Sequence, residues 1–367
     1  VRRACDNFDN LMEAVMAGLF DRLLGRETKT SAAKRLVAMQ FGGQPAWRPR
    51  DVPGLVREGY ERNAIANRCV RLISEAAAAV PLTANLPAAQ TLLDQPNPGQ
   101  SGAELMEVFY GFLQLAGNAY VELAHLELVP RELFALRPDR MRVLPGPTGW
   151  PSGWEYSVGG RKIRYSRDTE SERSQILHMR VFHPTDDYYG FSPLQAAARA
   201  LELHNAGGEW AKALLDNAAR PSGALVFNGG EGEGRLSEAQ FERLREELTS
   251  AHTGSQNAGR PLLLEGGLDW KPMSMSPADM DFTQARREAA REIALAFGVP
   301  PLLLGLPGDN TYANYREANL AFWRQTIAPL TAKAARSMTG WLRPWYSPDL
   351  RIEADVSAVP ALMEDGA

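Results

Sequence analysis

The sequence predicts an α+β fold in which a mixed strand-and-helix region gives way to long helices. Three observations carry this reading. Six short β-branched or aromatic runs lie between Ala119 and Arg180, each bounded by Pro, Gly or Asp. From Ser192 onward, apolar residues recur every three or four positions over three long stretches. Between the first two of those stretches, Arg220 to Met273 reads as strand, helix, strand.

The chain has 367 residues, 44% of them hydrophobic, enough to bury a sizeable core in two or three globular units. Forty basic and 44 acidic side chains leave a net charge of -4, so no global positive field holds nucleic acid and any DNA contact is loose or local. The two cysteines, Cys5 and Cys69, have neither disulfide nor zinc spacing, which fits synthesis in a reducing cytoplasm. Phe8, Leu11, Val15, Leu19 and Leu23 form a helical stripe interrupted by Asp9, Glu13 and Asp21. It is too charged for a signal peptide or membrane span and reads as a partner-facing or loosely ordered arm, or a membrane-surface stripe. The longest apolar run elsewhere, Val299 to Leu306, is broken by Pro300, Pro301 and Gly305, so no bilayer span is expected.

In chain order, residues 25–60 are rich in Gly, Pro, Arg and Gln and read as an extended arm. From Tyr60 to Val80, Ile65, Cys69, Leu72, Ile73 and Ala76 fall at helical spacing, and Pro81 ends the run. Gln95 to Gly99 is a turn, and Ser101 with Glu104 forms a capping box for a helix carrying Leu105, Val108, Phe109, Phe112 and Leu115, closed at Gly117-Asn118. The strand runs are 119–123, 132–136, 141–144, 154–158, 162–165 and 176–180. Ser192, Pro193 and Gln195 combine an N-cap, a proline at the first helical position and a capping box, opening a helix to Asn217. Gly207-Gly208 marks either a close helix approach or a local bend. In the insert, strands are expected at 224–227 and 261–264 and a helix after Ser237. A second long helix runs from Ser276-Pro277 to Gly298. The third, from about residue 314 to 343, contains Pro329, which removes a backbone donor and kinks it. A strand is expected near Leu350 to Ile352.

Searches for chemistry exclude several classes. Gly229 to Gly234 contains Glu231 and Glu233, which disfavour a phosphate, and neither G-x-G-x-x-G nor G-x-x-x-x-G-K-[ST] occurs, so a flexible tip is expected. His183, Asp186 and Asp187 fall short of a coordination set and read as a solvated turn. Gly190 to Leu194 lacks the second glycine of a nucleophile elbow, and Ser192 already caps a helix. His125, His178, His204 and His252 are isolated, and Trp323 and Trp341 sit at core spacing. Neither of the first two long helices carries a basic stripe. In the first, Arg199 and Lys212 stand against Glu202, Glu209 and Asp216; in the second, Arg286, Arg287 and Arg291 stand against Asp279, Asp281, Glu288 and Glu292.

The order of elements resembles the portal proteins of long-tailed double-stranded-DNA bacteriophages and gene transfer agents. The resemblance centres on the run from Ile293 to Glu317, where Phe297-Gly298-Val299-Pro300-Pro301 and Leu303-Leu304-Gly305 precede Thr311-Tyr312 and Asn314. Gly117-Asn118-Ala119-Tyr120, Leu136-Arg137-Pro138 and Gly190 to Leu194 are similar to upstream patterns of that family. The match covers roughly residues 50–345.

The resemblance implies a phage portal fold: an N-terminal arm (1–50), an α/β wing (51–191), two stem helices (192–217 and 276–298), a clip (218–275), a tunnel loop (299–313), a long wing helix (314–343) and a short crown or tail (344–367). It implies a ring, usually of twelve copies, at one capsid vertex of a virion or phage-like particle assembled in the host cytoplasm. Double-stranded DNA would pass through it; partners would be the large terminase subunit, a head-tail adaptor and the major capsid or scaffold protein. No membrane, cofactor, metal or catalytic residue is expected. Gly305, Leu306, Pro307, Gly308, Asp309, Asn310, Thr311 and Tyr312 would face the DNA, and Glu231, Glu233, Arg235, Arg243 and Arg245 of the clip would meet the motor or adaptor. Two other classes stay open at this point: a monomeric adaptor or scaffold-binding head protein, and a hydrolase using His183, Asp186 and Asp187.

Overall fold

The computed structural model describes residues 36–40, 45–49, 52–146, 150–168, 170–216, 223–227, 242, 268–272, 282–306, 312–357 and 359–363. The Phe8 to Leu24 stripe therefore lies outside the described residues. The expected extended arm instead contains a hairpin, in which Leu36–Gln40 (β1) pairs antiparallel with Pro45–Pro49 (β2). Helical structure begins at Val52–Leu55 (α1) and widens into a π-type turn over Val56–Glu61.

The helix expected from Tyr60 starts at Ala64, because Asn63 caps it: its side-chain oxygen accepts from the Ile65 and Ala66 N–H groups, each at 3.1 Å. This helix, Ala64–Ala78 (α2), buries Ala66, Cys69, Val70, Ile73 and Ala77. Burial pushes the Cys69 thiol up to about 12, so it packs as a small apolar side chain. Leu82–Ala84 (β3) and Pro87–Asp94 (α3) lead to Gly102–Ala116 (α4). Both halves of the Ser101/Glu104 capping box are present, and Gly117 ends α4 with φ 70°.

The six strand runs all appear: Asn118–Leu126 (β4), Val129–Leu136 (β5), Met141–Pro145 (β6), Pro151–Val158 (β7), Arg161–Ser166 (β8) and Ile176–Arg180 (β9). They form two antiparallel three-stranded sheets, ordered β5-β4-β9 and β6-β7-β8. Tyr120, Leu136, Met141, Val143, Trp154, Tyr165, Ile176 and Tyr188 fill a small core shared by both sheets.

Beyond the sheets come Pro193–Ala196 (α5) and Ala198–Asp216 (α6), then Gly223–Phe227 (β10) antiparallel to Leu268–Pro272 (β11). The pairing partner of β10 was not anticipated from the sequence; the expected strand 261–264 and nearly all of the helix after Ser237 lie outside the described residues. Phe282–Phe297 (α7) follows, then Tyr312–Phe322 (α8) and Ala328–Leu342 (α9). The proline kink takes a definite form: Trp323–Ile327 widens into a π-type turn, and the Ala328 N–H reaches back to the Trp323 carbonyl. The backbone stays helical through this turn, so Pro329 is accommodated by the widened turn just before it rather than by a break in the helix. The last strand is Ile352–Ala354 (β12), two residues later than expected, and it pairs antiparallel with β3 before Pro360–Met363 (α10). The main core joins α2, α4, β4, the start of α6, α7 and α9.

Glycines at two positions should respond oppositely to alanine. At Gly117 a Cβ would lie 2.7 Å from the Gly190 carbonyl carbon and oxygen, and φ is already left-handed, so Gly117→Ala is expected to cost about 2–4 kcal/mol in urea unfolding. At Gly208 the nearest atom to an added Cβ is the Arg286 guanidinium at 3.8 Å, so Gly208→Ala is expected to stabilise by about 0.5–1 kcal/mol.

Candidate functional site

Motifs far apart in the sequence converge where the two long helices leave the sheets. Asn118, directly after the αL glycine Gly117, is buried and bonds through both ends of its amide. Its Oδ1 accepts from the Gly190 N–H at 2.8 Å and from His178 Nε2 at 3.0 Å, while its Nδ2 donates to the Ala116 carbonyl at 2.8 Å. The Val181 N–H donates to the Gly117 carbonyl at 2.8 Å, which places the 181–192 segment against the end of α4. That segment delivers Ser192, fully buried, as the capping-box residue of α5. The Gly117-Asn118 and Gly190 to Leu194 patterns are thus two halves of one joint.

His178 belongs to the joint too. It stacks on Tyr120 with centroids 4.3 Å apart, and Trp154 Nε1 donates to its Nδ1 at 3.5 Å. With Nε2–H turned to Asn118, the ring is neutral; burial, then the Arg180 charge, lowers its pKa to about 3.

A second set of contacts, unforeseen in the sequence, fixes the base of α6. Asn63 Nδ2 donates to Asn205 Oδ1 at 2.8 Å and to His204 Nδ1 at 3.1 Å, and Asn205 Nδ2 donates to the Glu58 carbonyl at 2.9 Å. Burial and the Arg286 charge lower the His204 pKa, which suits its acceptor role. Gly59 lets the turn close on the helix, since a Cβ there would fall 2.6 Å from Leu194 Cδ1. An asparagine just ahead of an apolar-periodic run is a cap signal, so Asn63 was available to sequence reasoning; its partners 141 and 142 residues away were not.

The helices α6 and α7 pack together, and Gly207-Gly208 sits inside an unbroken α6 beside Arg286 of α7. An added Cβ at either glycine would meet only the Arg286 side chain, at 3.8 Å or more, so neither glycine is required for a close backbone approach.

The end of α7 is defined by two backbone bonds, from Gly298 N–H to the Leu295 carbonyl at 3.0 Å and from Val299 N–H to the Ala294 carbonyl at 2.9 Å, with Gly298 at φ 67°. A single 3-10 turn, Pro301–Leu304, follows and ends at Gly305 with φ 70°. Thr326, in the wide turn before α9, donates to the Gly298 carbonyl at 2.6 Å. This bond ties the end of α7 to the turn after α8, so the segment 298–326, which contains the expected tunnel loop, begins and ends at one point. Gly305 is exposed and Leu306 half-buried, and Tyr312 opens α8; Pro307, Gly308, Asp309, Asn310 and Thr311 lie outside the described residues. So do the clip residues Glu231, Glu233, Arg235, Arg243 and Arg245.

The 183–187 cluster is a turn. His183 Nδ1 accepts from the Thr185 N–H at 3.1 Å, Asp186 Oδ1 accepts from the Tyr188 and Tyr189 N–H groups at 2.8 and 3.0 Å, and the Asp187 carbonyl accepts from Arg180. Among the described residues, no His, Cys, Asp and Glu side chains are grouped to hold a metal, and no helix is long and apolar enough to cross a membrane.

A family profile described as phage portal protein matches residues 64–366. The chain belongs to the phage portal protein family. It is 52% identical to a chain in the neck of a native gene transfer agent particle computed with C12 symmetry, covering 88% of this portal chain and 89% of that one, with a TM-score of 0.68. It is 41% identical to a protein of Rickettsia bellii over 317 residues, 84% of this chain and 81% of the other. It is 26% identical to the portal protein of Enterobacteria phage HK97 over 298 residues, 76% of this chain and 66% of that one. Portal proteins are structural as a family, and the α+β portal fold expected from the sequence is the fold observed.

The joint carries a pH signature. Because His178 is held neutral well below the ordinary histidine value, the portal chain gains stability that is fully present above about pH 6.5. That contribution is lost as pH falls toward 3, with a slope of about 1.4 kcal/mol per pH unit. Urea unfolding from pH 7 to 4 is expected to show this slope, and His178→Gln is expected to flatten it.

Proposed function

We propose that this chain is the subunit of a twelve-membered portal ring that forms the channel for double-stranded DNA at one vertex of a phage or gene-transfer-agent particle. The observation that carries this reading is the 52% identity, over nearly nine-tenths of both chains, with a chain of a particle neck computed with C12 symmetry. The geometry supports it: two long helices leave one joint together, and the chain turns back at Gly298 and Gly305. In this reading the sheets and their helices form the wing, α6 and α7 the stem, the segment between them the clip, and residues 305–312 the tunnel loop. The clip would meet the large terminase subunit during packaging and the head-tail adaptor afterwards, and the wing would meet the major capsid or scaffold protein.

DNA has to slide through such a channel in both directions, which requires weak contacts. Few net charges on the stem helices avoid the salt-dependent attachment that lysine and arginine stripes produce. We assign no catalytic chemistry to the chain; His183 Nδ1 and Asp186 Oδ1 serve to close a turn.

Native mass spectrometry is expected to find a species of about 485 kDa, twelve copies of a 40.4 kDa chain. A chain that stays at 40.4 kDa at every concentration and in the presence of its capsid and scaffold proteins would favour the monomeric adaptor instead. Deleting Pro307 to Asn310 is expected to leave ring assembly intact and to reduce packaged DNA severalfold, measured as DNA protected per particle. Unchanged packaging would remove the loop from the mechanism.

A further inference from the structure

The groove between α9 and β12 combines an open strand edge with a cluster of arginines. In the β3–β12 pair, Arg351, Glu353 and Asp355 turn their backbones toward β3. The Asn85 N–H donates to the Arg351 carbonyl at 3.2 Å and the Asp355 N–H to the Pro81 carbonyl at 2.9 Å, with Glu353 opposite Thr83 between them. Backbone direction alternates along a strand, so Ile352 and Ala354 face away from β3, toward α9. Thr339 of α9 meets the first of them: its Oγ1 accepts from the Ile352 N–H at 3.0 Å and lies 3.1 Å from the Ile352 carbonyl. Among the described residues, Ala354 has no hydrogen-bond partner for its N–H or its carbonyl.

The space beside Ala354 is roomy and cationic. A concavity of about 480 Å³ is lined there by the small residues Ala335 and Gly340 and by Arg336, Arg343 and Arg351, against one carboxylate, Glu353. A Cβ added at Gly340 would meet nothing within 4 Å. Arg343 Nε donates to the Leu350 carbonyl at 3.0 Å, and the Arg351 N–H donates to Asn85 Oδ1 at 2.8 Å, so both residues are anchored at the groove wall. An adjoining concavity shares Arg336 and adds Lys333, whose Nζ donates to the Arg180 carbonyl at 2.8 Å. Among the described residues, Arg336, Arg343 and Arg351 form no ion pair.

We infer that this groove is a docking site for an extended acidic segment of a partner protein, whose backbone exchanges two hydrogen bonds with Ala354 and whose carboxylates meet Arg336, Arg343 and Arg351. A free N–H and a free carbonyl on one edge residue are what a strand offers to another main chain. Three guanidinium groups against one carboxylate select acidic side chains on that chain. A nucleic-acid phosphate would satisfy the arginines, but it brings only acceptor oxygens and leaves the Ala354 carbonyl unanswered. The groove is complete within one copy, so the inference does not depend on the ring.

Binding of labelled hexapeptides to the full-length chain, followed by fluorescence anisotropy, tests it. The panel alternates Val with Glu, Asp, Ala or Lys. An acidic series is expected to bind about tenfold or more tighter than the Ala and Lys series, and Arg336→Gln with Arg351→Gln is expected to remove that advantage. Gly340→Leu fills the groove at a helical position that favours leucine, so it is expected to abolish binding while leaving the fold intact by circular dichroism. The backbone contact is read without altering the protein: N-methylation of all the Val amides, or of all the acidic-residue amides, is expected to abolish binding in one case and spare it in the other. The inference is overturned if neither acidic series outbinds the Ala series, if both methylated peptides bind or both fail, or if Gly340→Leu leaves binding unchanged. It is equally overturned if a short duplex DNA displaces the acidic peptide and loses its own binding in Gly340→Leu, which would make the groove a nucleic-acid site.

Discussion

The fold depends on one buried amide. Asn118 spends its carbonyl oxygen on the Gly190 N–H and the His178 ring and its amide N–H on the Ala116 carbonyl, so three segments of chain meet at a single side chain. An unpaired buried amide is expensive, and the joint avoids that cost only in one arrangement of the three segments. Gly117 and Gly190 allow that arrangement because their backbones approach more closely than any Cβ permits. From there the direction of Pro193 onward is set, and with it the position of both long helices.

A separate constraint governs the return of the chain. At the end of α7, Gly298 reverses the backbone and Pro300-Pro301 prevents the helix from resuming. On the returning side, Pro329 cannot accept a place inside a regular helix, and the wide turn at Trp323–Ile327 absorbs the mismatch. The same turn presents Thr326 to the Gly298 carbonyl. A helix defect that sequence reasoning treats as a kink thus supplies the tie between the end of α7 and the turn that follows α8.

Electrostatics divides the molecule in a way that the net charge conceals. A balance of -4 over the whole chain coexists with a groove beside α9 that gathers Lys333, Arg336, Arg343 and Arg351.

Much of the architecture was legible in the residues. The capping boxes at Ser101 and Ser192, all six strand runs and the break at Pro329 follow from local rules, since a cap, an alternation or a missing N–H acts within a few residues. The hairpin at 36–49 and the pairing of β10 with β11 were not, because β1 and β2 lie in a Gly- and Pro-rich stretch that reads as an arm, and the partner of β10 lies across a long insert. What the sequence by itself determined was the order and type of the elements and, through its motifs, the portal family. Only the tertiary structure decided that Asn118 meets Gly190, that Asn63 holds His204 and Asn205, and that Arg336, Arg343 and Arg351 line one groove. Those facts join residues tens to hundreds of positions apart, and such distances are closed by packing, which no local pattern encodes.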